Sequence, residues 1–330
     1  MKTNLLLIIT LVLFFFSCKP KQVEPLPQHG LLWKITGNGL NHASYLFGTC
    51  HISGGMQILD SIKTFDSIFS LTNRLICEFQ LSDFTKHLKG KEENDFNFLK
   101  PWPVPDSTYN NLLTAKQKII FDSVVNSSEL LKKIKQANLN IRPLSFLNFI
   151  KLSKKIEPNS DKAQSPLLDF YLQNLAKKRD MQIVSLDSEK EYQKIKDSIT
   201  THHLQLSYRN EVDVLMYYIK NQHHIDSLKV DMTNKVLSAY LKQNINFIMQ
   251  HSEESNLQNN KILSYLGNDE FLEVQQKLMI DERNNLWMNK IPKLIENNSS
   301  FIAVGAAHLG GEKGLINQLR ELNYTVNSVK

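Results

Sequence analysis

Two histidines in this chain follow the same short pattern. Gly48-Thr49-Cys50-His51 lies in "ASYLFGTCHISGG" and Gly305-Ala306-Ala307-His308 lies in "SSFIAVGAAHLGG". Each follows an apolar run, and each is followed by more glycine. Glycine at a strand end lets the backbone turn sharply or come close to another group. A histidine three residues later is then held near the sheet edge. There an imidazole serves as a metal ligand or moves a proton. One such break carries little information, because loops contain histidine by chance. Two of the same shape, at opposite ends of the chain, point to one shared site. His202, His203, His223 and His224 fall in a polar helical stretch and read as solvated.

Three further positions fit such a site. Glu78 interrupts the apolar run "RLICEFQL". A carboxylate there is costly unless it is paired or ligates something. It reads as a metal ligand or general base, or else as a strand-end residue facing water. Asp187, at the end of "QIVSLDS", is placed in the same way and reads as a second carboxylate or as a helix N-cap. Arg283 and Asn284 stand in "MIDERNNLWMNKI", a helical stretch leading toward the second glycine–histidine break. An arginine in a site holds a carboxylate or an oxyanion; on a helix surface it forms an ion pair.

The elements that position these residues are legible in outline. "GLLWKITGNGLNHASYLFGTCH" reads as two strands around a Gly-Asn-Gly turn. "QILDSIKTFDSIFSLTN" has helical spacing, and "RLICEFQL" is a short buried strand. The middle is mostly helical, with one more apolar strand in "MQIVSLDS". The chain closes as strand, helix, strand in "SSFIAVGAAHL", "EKGLINQLREL" and "YTVNSV". The expected fold is α/β, with a mixed central sheet built from the N- and C-terminal parts. A large helical insert spans about residues 100–298. If both breaks end parallel strands of that sheet, they meet at its carboxyl edge, where open α/β sheets place their sites.

Composition narrows the function classes. The chain has 330 residues, 42% hydrophobic and 22% charged, which is globular and enough for one large domain or two small ones. A net charge of +6 is spread without a lysine or arginine block, so nucleic acid is not an expected partner. "MKTNLLLIITLVLFFFSC" has Lys2, an apolar run from Leu5 to Phe16, then Ser17-Cys18. This has the shape of a signal peptide, residues 1–17, with a lipobox-like end. Cys18 would become a lipidated N-terminus that anchors the body to a membrane in the cell envelope, on the periplasmic side. Residues 18–28, rich in proline, read as a tether, and the domain runs from 29 to 330. Cys50 and Cys77 then form an even pair, open to a disulfide or to two buried thiols. There is no G-x-S-x-G elbow, no H-E-x-x-H and no P-loop, and "GNGLNHA" sits in a hairpin rather than in a dinucleotide turn.

Taken together, "SYLFGTCHI", "LICEFQ", "LLDFYLQNLAKKRDMQIVSLDS", "DERN" and "FIAVGAAHLGGEKGLINQLRELNYTV" resemble the TraB/GumN family, which includes the Tiki-type metalloproteases. The resemblance covers nearly the whole chain after the tether. It implies a mixed α/β core with both G-x-x-H motifs at one site. For Tiki-like members it also implies peptidase activity with a divalent metal, Mn2+ or Co2+, on a peptide or protein substrate. Carried over, His51 and His308 are metal ligands, Glu78 is the carboxylate beside them and Arg283 is the site arginine. Asp187 stands where the family usually has glutamate. Two alternatives remain open from the residues: a non-catalytic protein binding a peptide or envelope component through the same cleft, and a metal-free hydrolase using histidine and glutamate.

Overall fold

The computed structural model describes residues 30–80, 108–136, 142–156, 167–188, 190–192, 194–195, 197–198, 207–249 and 277–329. The expected signal peptide and tether, with Cys18, lie outside these residues, as do His202 and His203. His223 and His224 are exposed, as expected.

The two N-terminal strands are β1 (Leu32–Gly37) and β2 (Ser44–Thr49), antiparallel with Trp33 opposite Leu46. The turn after β1 carries Gly37, Asn38 and Gly39 at φ 81°, 46° and 79°, a left-handed run that only glycine and asparagine accept at low cost. Helical spacing then gives two short helices, α1 (Ile58–Ser61) and α2 (Phe65–Ser70), rather than one. The break is at Ile62, whose ψ of 80° leaves the helical region. β3 (Arg74–Cys77) follows.

The described middle of the chain is helical: α3 (Thr108–Leu112), α4 (Ala115–Asn126), α5 (Glu129–Gln136), α6 (Pro143–Ile156) and α7 (Leu168–Lys178). α4 starts on a capping box, with Thr114 and Gln117 satisfying each other's backbone amides. β4 (Gln182–Ser185) comes next, then α8 (Tyr208–Leu241), α9 (Arg283–Met288) and α10 (Ile291–Ile295). The chain ends with β5 (Ser300–Gly305), α11 (Leu315–Glu321) and β6 (Tyr324–Ser328).

The six strands among the described residues form one mixed sheet, in the order β4-β3-β5-β2-β1-β6. β2, β3, β4 and β5 are mutually parallel, while β1 runs against both β2 and β6. The sheet is therefore built from both ends of the chain, with β4 added at one edge from the middle. β5, the last of the parallel strands in sequence, inserts between β2 and β3. That insertion brings the two glycine–histidine breaks side by side.

The described residues pack into two apolar cores. The larger lies on the sheet, where Phe47, Phe65, Phe69 and Phe301 pack with ring centroids 5.0–6.0 Å apart. Phe47, Phe69 and Phe301 are fully buried, each worth about 1.5–3 kcal/mol of transfer free energy. The second core joins α3–α6 to the first third of α8 through Phe121, Phe146, Val212 and Leu215. α8, about 50 Å long, reaches from that core back to the sheet, where Tyr240 joins the larger one. No described helix is long and apolar enough to cross a membrane. Cys50 and Cys77 are free thiols rather than a disulfide; Cys77 is buried and Cys50 only partly so.

Candidate functional site

β2, β3, β4 and β5 run the same way, so the residues just past their ends share one edge. Glu78 leaves β3, Asp187 leaves β4, His51 leaves β2 and His308 leaves β5. The exit of β3 is pinned to its surroundings. Gln80 Nε2 donates to the Ile183 carbonyl at 2.8 Å, and Gln173 Nε2 donates to the Phe79 carbonyl at 3.0 Å.

The glycines permit close approach rather than a turn. Gly305 has ordinary extended backbone, φ −52° and ψ 135°. A Cβ on Gly48 would stand 3.0 Å from Ala306 Cα, so the first motif packs directly against the second. A Cβ on Gly305 would stand 3.3 Å from Glu78 Oε1. With no side chain there, Gly305 N–H donates to that oxygen at 2.7 Å. The two motifs are out of step by one residue: Gly48 lies opposite Val304, and Thr49 lies opposite Gly305. β5 stops at its glycine and turns through a 3-10 segment, Ala306–His308, which carries His308 inward. β2 runs one residue beyond its glycine, and His51 stays at the rim with its side chain about half exposed (52%).

The buried part of the site is completed from α9. A π-helical turn, Lys277–Glu282, precedes it, a departure that recurs at functional sites. Arg283, Asn284 and Trp287 then face inward together, all buried. Arg283 Nη2 donates to Glu78 Oε2 and, at 2.7 Å, to Asp187 Oδ2. Its Nη1 stands 3.3 Å from His308 Nε2. Trp287 lies under the guanidinium, 4.6 Å from ring centroid to Cζ, and its Nε1–H donates to Asp187 Oδ1 at 2.7 Å. Asp187 therefore reaches Arg283 despite its short side chain. Among the described residues its oxygens accept from Arg283 and Trp287, while the cap of the following helical segment is Ser188, whose Oγ accepts from Glu191 N–H.

Asn284 determines which nitrogen of His308 carries the proton. Its Nδ2 already donates to the carbonyls of His308 and Lys313, at 3.2 and 2.9 Å. Its Oδ1 is thus the acceptor for His308 Nδ1–H, 2.8 Å away. The lone pair is left on Nε2, which faces Arg283 and, at 4.0 Å, Glu78 Oε1. Burial depresses the His308 pKa to about 3, with Glu78 opposing and Arg283 reinforcing the shift. For Glu78, burial works toward the neutral form, but the charge that His308 takes up only in acid, the Arg283 guanidinium and the Gly305 amide outweigh it and bring the value down to about 2. The result is a carboxylate kept ionised beside an imidazole kept neutral.

His51 has a different partner. Its Nε2 stands 3.1 Å from Asp169 Oδ2, and Thr49 Oγ1 donates to Asp169 Oδ1 at 2.8 Å. Asp169 raises the His51 pKa and burial partly offsets this. Neither Asp169 nor Thr49 stands out in the sequence. An aspartate in the first turn of an amphipathic helix is ordinary dipole chemistry, and Thr49 reads as the last strand residue. Trp287 is equally inconspicuous. The structure thus brings His51, Glu78, Asp187, Arg283, Asn284 and His308 to one edge.

Among the described residues, no three His, Cys, Asp or Glu side chains converge as a preformed metal cluster. The donors present nonetheless suit a divalent ion in kind. His308 Nε2 offers a fixed lone pair, Glu78 is ionised beside it and His51 stands at the rim. Arg283 holds Glu78 in this structure, so an ion and the guanidinium compete for that carboxylate.

The sequence model of the TraB/PrgY/gumN family matches residues 31–328. No curated protein and no solved structure matches the chain.

Proposed function

The chain belongs to the TraB/PrgY/gumN family, and from that premise we propose that its carboxyl-edge cluster is the centre of a divalent-metal-dependent hydrolase acting on peptide or protein substrates. The observation that carries this reading is the pairing of ionised Glu78 with neutral His308, whose lone pair is held toward it. His308 Nε2, Glu78 and His51 would hold the ion, Mn2+ or Co2+. Such an ion, when bound, polarises the scissile carbonyl and makes water nucleophilic near neutral pH.

The remaining roles belong to the chain's own residues. The Arg283 guanidinium and the Gly305 amide favour the ionised form of Glu78, which supplies charge and ligation. Arg283 keeps Glu78 and Asp187 in place against their mutual repulsion. Asn284 keeps His308 in the tautomer whose lone pair is on Nε2, where Arg283 Nη1 donates to it at 3.3 Å. Asp187 and Trp287 fix Arg283 from the other side. His51, half exposed, is the group that meets a substrate arriving from solvent. On the same reading the domain sits on the periplasmic side of a membrane, anchored through lipid on Cys18.

The test uses the full-length chain with a quenched fluorescent peptide library, in Mn2+ or Co2+ and after chelation. Cleavage that needs the ion and is lost in Glu78→Gln and His308→Ala supports the reading. Cleavage that survives chelation points instead to a metal-free histidine–glutamate hydrolase. Tight peptide binding without cleavage points to a non-catalytic binding protein.

A further inference from the structure

Asp169 has no place in the roles above, yet one half of its carboxylate is held and the other half is left open. It sits in the first turn of α7, and its side chain is 15% exposed. Thr49, itself buried, donates to Oδ1 at 2.8 Å and so sets the orientation of the group. Oδ2 is buried and accepts no hydrogen bond among the described residues. It stands 3.1 Å from His51 Nε2, but no hydrogen bond joins the two atoms. A carboxylate oxygen buried in this way is costly unless something cationic meets it.

The spacing of the two atoms is that of neighbouring ligands. An ion about 2.1 Å from each of two donors at right angles leaves those donors about 3 Å apart. The inner donors are placed differently. Glu78 Oε2 and His308 Nε2 both accept from Arg283, so a fixed cation already stands against them. Charge points the same way. Glu78, Asp187 and Asp169 bring three carboxylates to this edge against the one guanidinium of Arg283, which leaves two negative charges for a divalent ion. Without Asp169 only one is left.

We propose that Asp169 is a further ligand of the ion, its Oδ2 joining His51 Nε2 on the rim side of the site. This deepens the hydrolase reading and rests on it for the presence of the ion. His51 and Asp169 form one edge of a site rather than a whole one, in keeping with the lack of a three-donor cluster among the described residues. Asp169 fixes neither tautomer of His51, so ion binding itself selects the ring with its lone pair on Nε2.

The experiment is calorimetric titration of Mn2+ into the full-length wild type, Asp169→Asn and His308→Ala. Asparagine keeps the shape of the side chain and an acceptor for Thr49 but loses the charge. Affinity is expected to fall more than about 100-fold in Asp169→Asn, beyond the roughly 10–100-fold that loss of a supporting neighbour of a ligand costs. A smaller fall overturns the proposal. If His308→Ala then still abolishes binding, the hydrolase reading stands without Asp169. A wild type that binds no Mn2+ overturns both. A second variant reads contact directly. Asp169→Cys/Cys50→Ser places a thiol at residue 169 and removes the neighbouring native one. On loading with Co2+, sulfur-to-cobalt charge-transfer absorption in the near ultraviolet is expected only if residue 169 touches the ion. Co2+ bound without that absorption overturns ligation whatever the affinities. If this variant takes up no Co2+, the asparagine threshold decides.

Discussion

The two G-x-x-H segments look alike in sequence and differ in almost every physical property. Gly305–His308 ends its strand on the glycine, folds inward, and carries a fully enclosed imidazole held by a neutral amide. Gly48–His51 continues one residue further, stays at the rim, and pairs its imidazole with a carboxylate. The pKa of the first is depressed to about 3 and that of the second is raised. Similar motifs thus give one fixed neutral donor and one ring whose charge changes in a milder pH range. The cause is the one-residue offset between β2 and β5 together with the different side chains that meet each ring.

The largest effect separating the inner half from the rim should come from Arg283→Met. It leaves Glu78 and Asp187 buried without a cation, and a loss of about 3–5 kcal/mol in urea unfolding is expected. A loss below about 1 kcal/mol would mean that the inner cluster does not depend on its charges.

Acid should act on the inner histidine in the opposite sense to the outer one. The depressed His308 value makes its contribution complete above pH 6.5 and lost as pH falls toward 3. The raised His51 value makes its contribution complete below pH 6.5 and lost as pH rises through its folded value. Urea midpoints taken from pH 8 to pH 4 should therefore decline below 6.5, by at most about 1.4 kcal/mol per unit. His308→Ala should flatten the decline below 6.5, and His51→Ala should remove the gain in stability expected as pH falls from 8 toward 6.5. The reverse pattern would exchange the roles of the two rings.

At neutral pH the same two substitutions should differ in cost. His308→Ala orphans Asn284 Oδ1 in the interior and should cost about 1–3 kcal/mol. His51→Ala removes a half-exposed pair and should cost less than about 1 kcal/mol. Equal costs by thermal unfolding would remove the distinction between core and rim.

The smallest expected contrast is between the glycines. Gly48→Ala drives a methyl into the Ala306 backbone and should cost about 1–3 kcal/mol. Gly305→Ala meets the Glu78 carboxylate oxygen at 3.3 Å and His308 Cδ2 at an ordinary 3.6 Å, looser than the 3.0 Å approach at Gly48, so its cost should fall below that of Gly48→Ala. Its larger consequence is to loosen Glu78 from the Gly305 amide. Comparing the melting temperatures of the two variants checks the order.

Much of this site was visible in the sequence because isolated polar residues stand out against apolar runs. Glu78 within "RLICEFQL" and the two glycine–histidine breaks are of that kind, and burying such groups carries a cost that demands a partner. Asp169, Thr49 and Trp287 were not visible. Each occupies a position where its type is common for ordinary reasons, and each matters only because of a neighbour roughly a hundred residues away or more. The break at Ile62 was equally hidden, because the apolar spacing continues through it.

The sequence by itself determined the elements and their apolar faces, since periodicity and turn chemistry are local. It also determined that two histidines and a carboxylate would leave strand ends. The tertiary structure alone decided the rest: that β5 inserts between β2 and β3, that its register is offset by one residue, and that Asn284 meets one ring while Asp169 meets the other. Strand order and register are settled by packing between distant segments, and a hydrogen-bond partner is chosen only once that packing places it within about 3 Å.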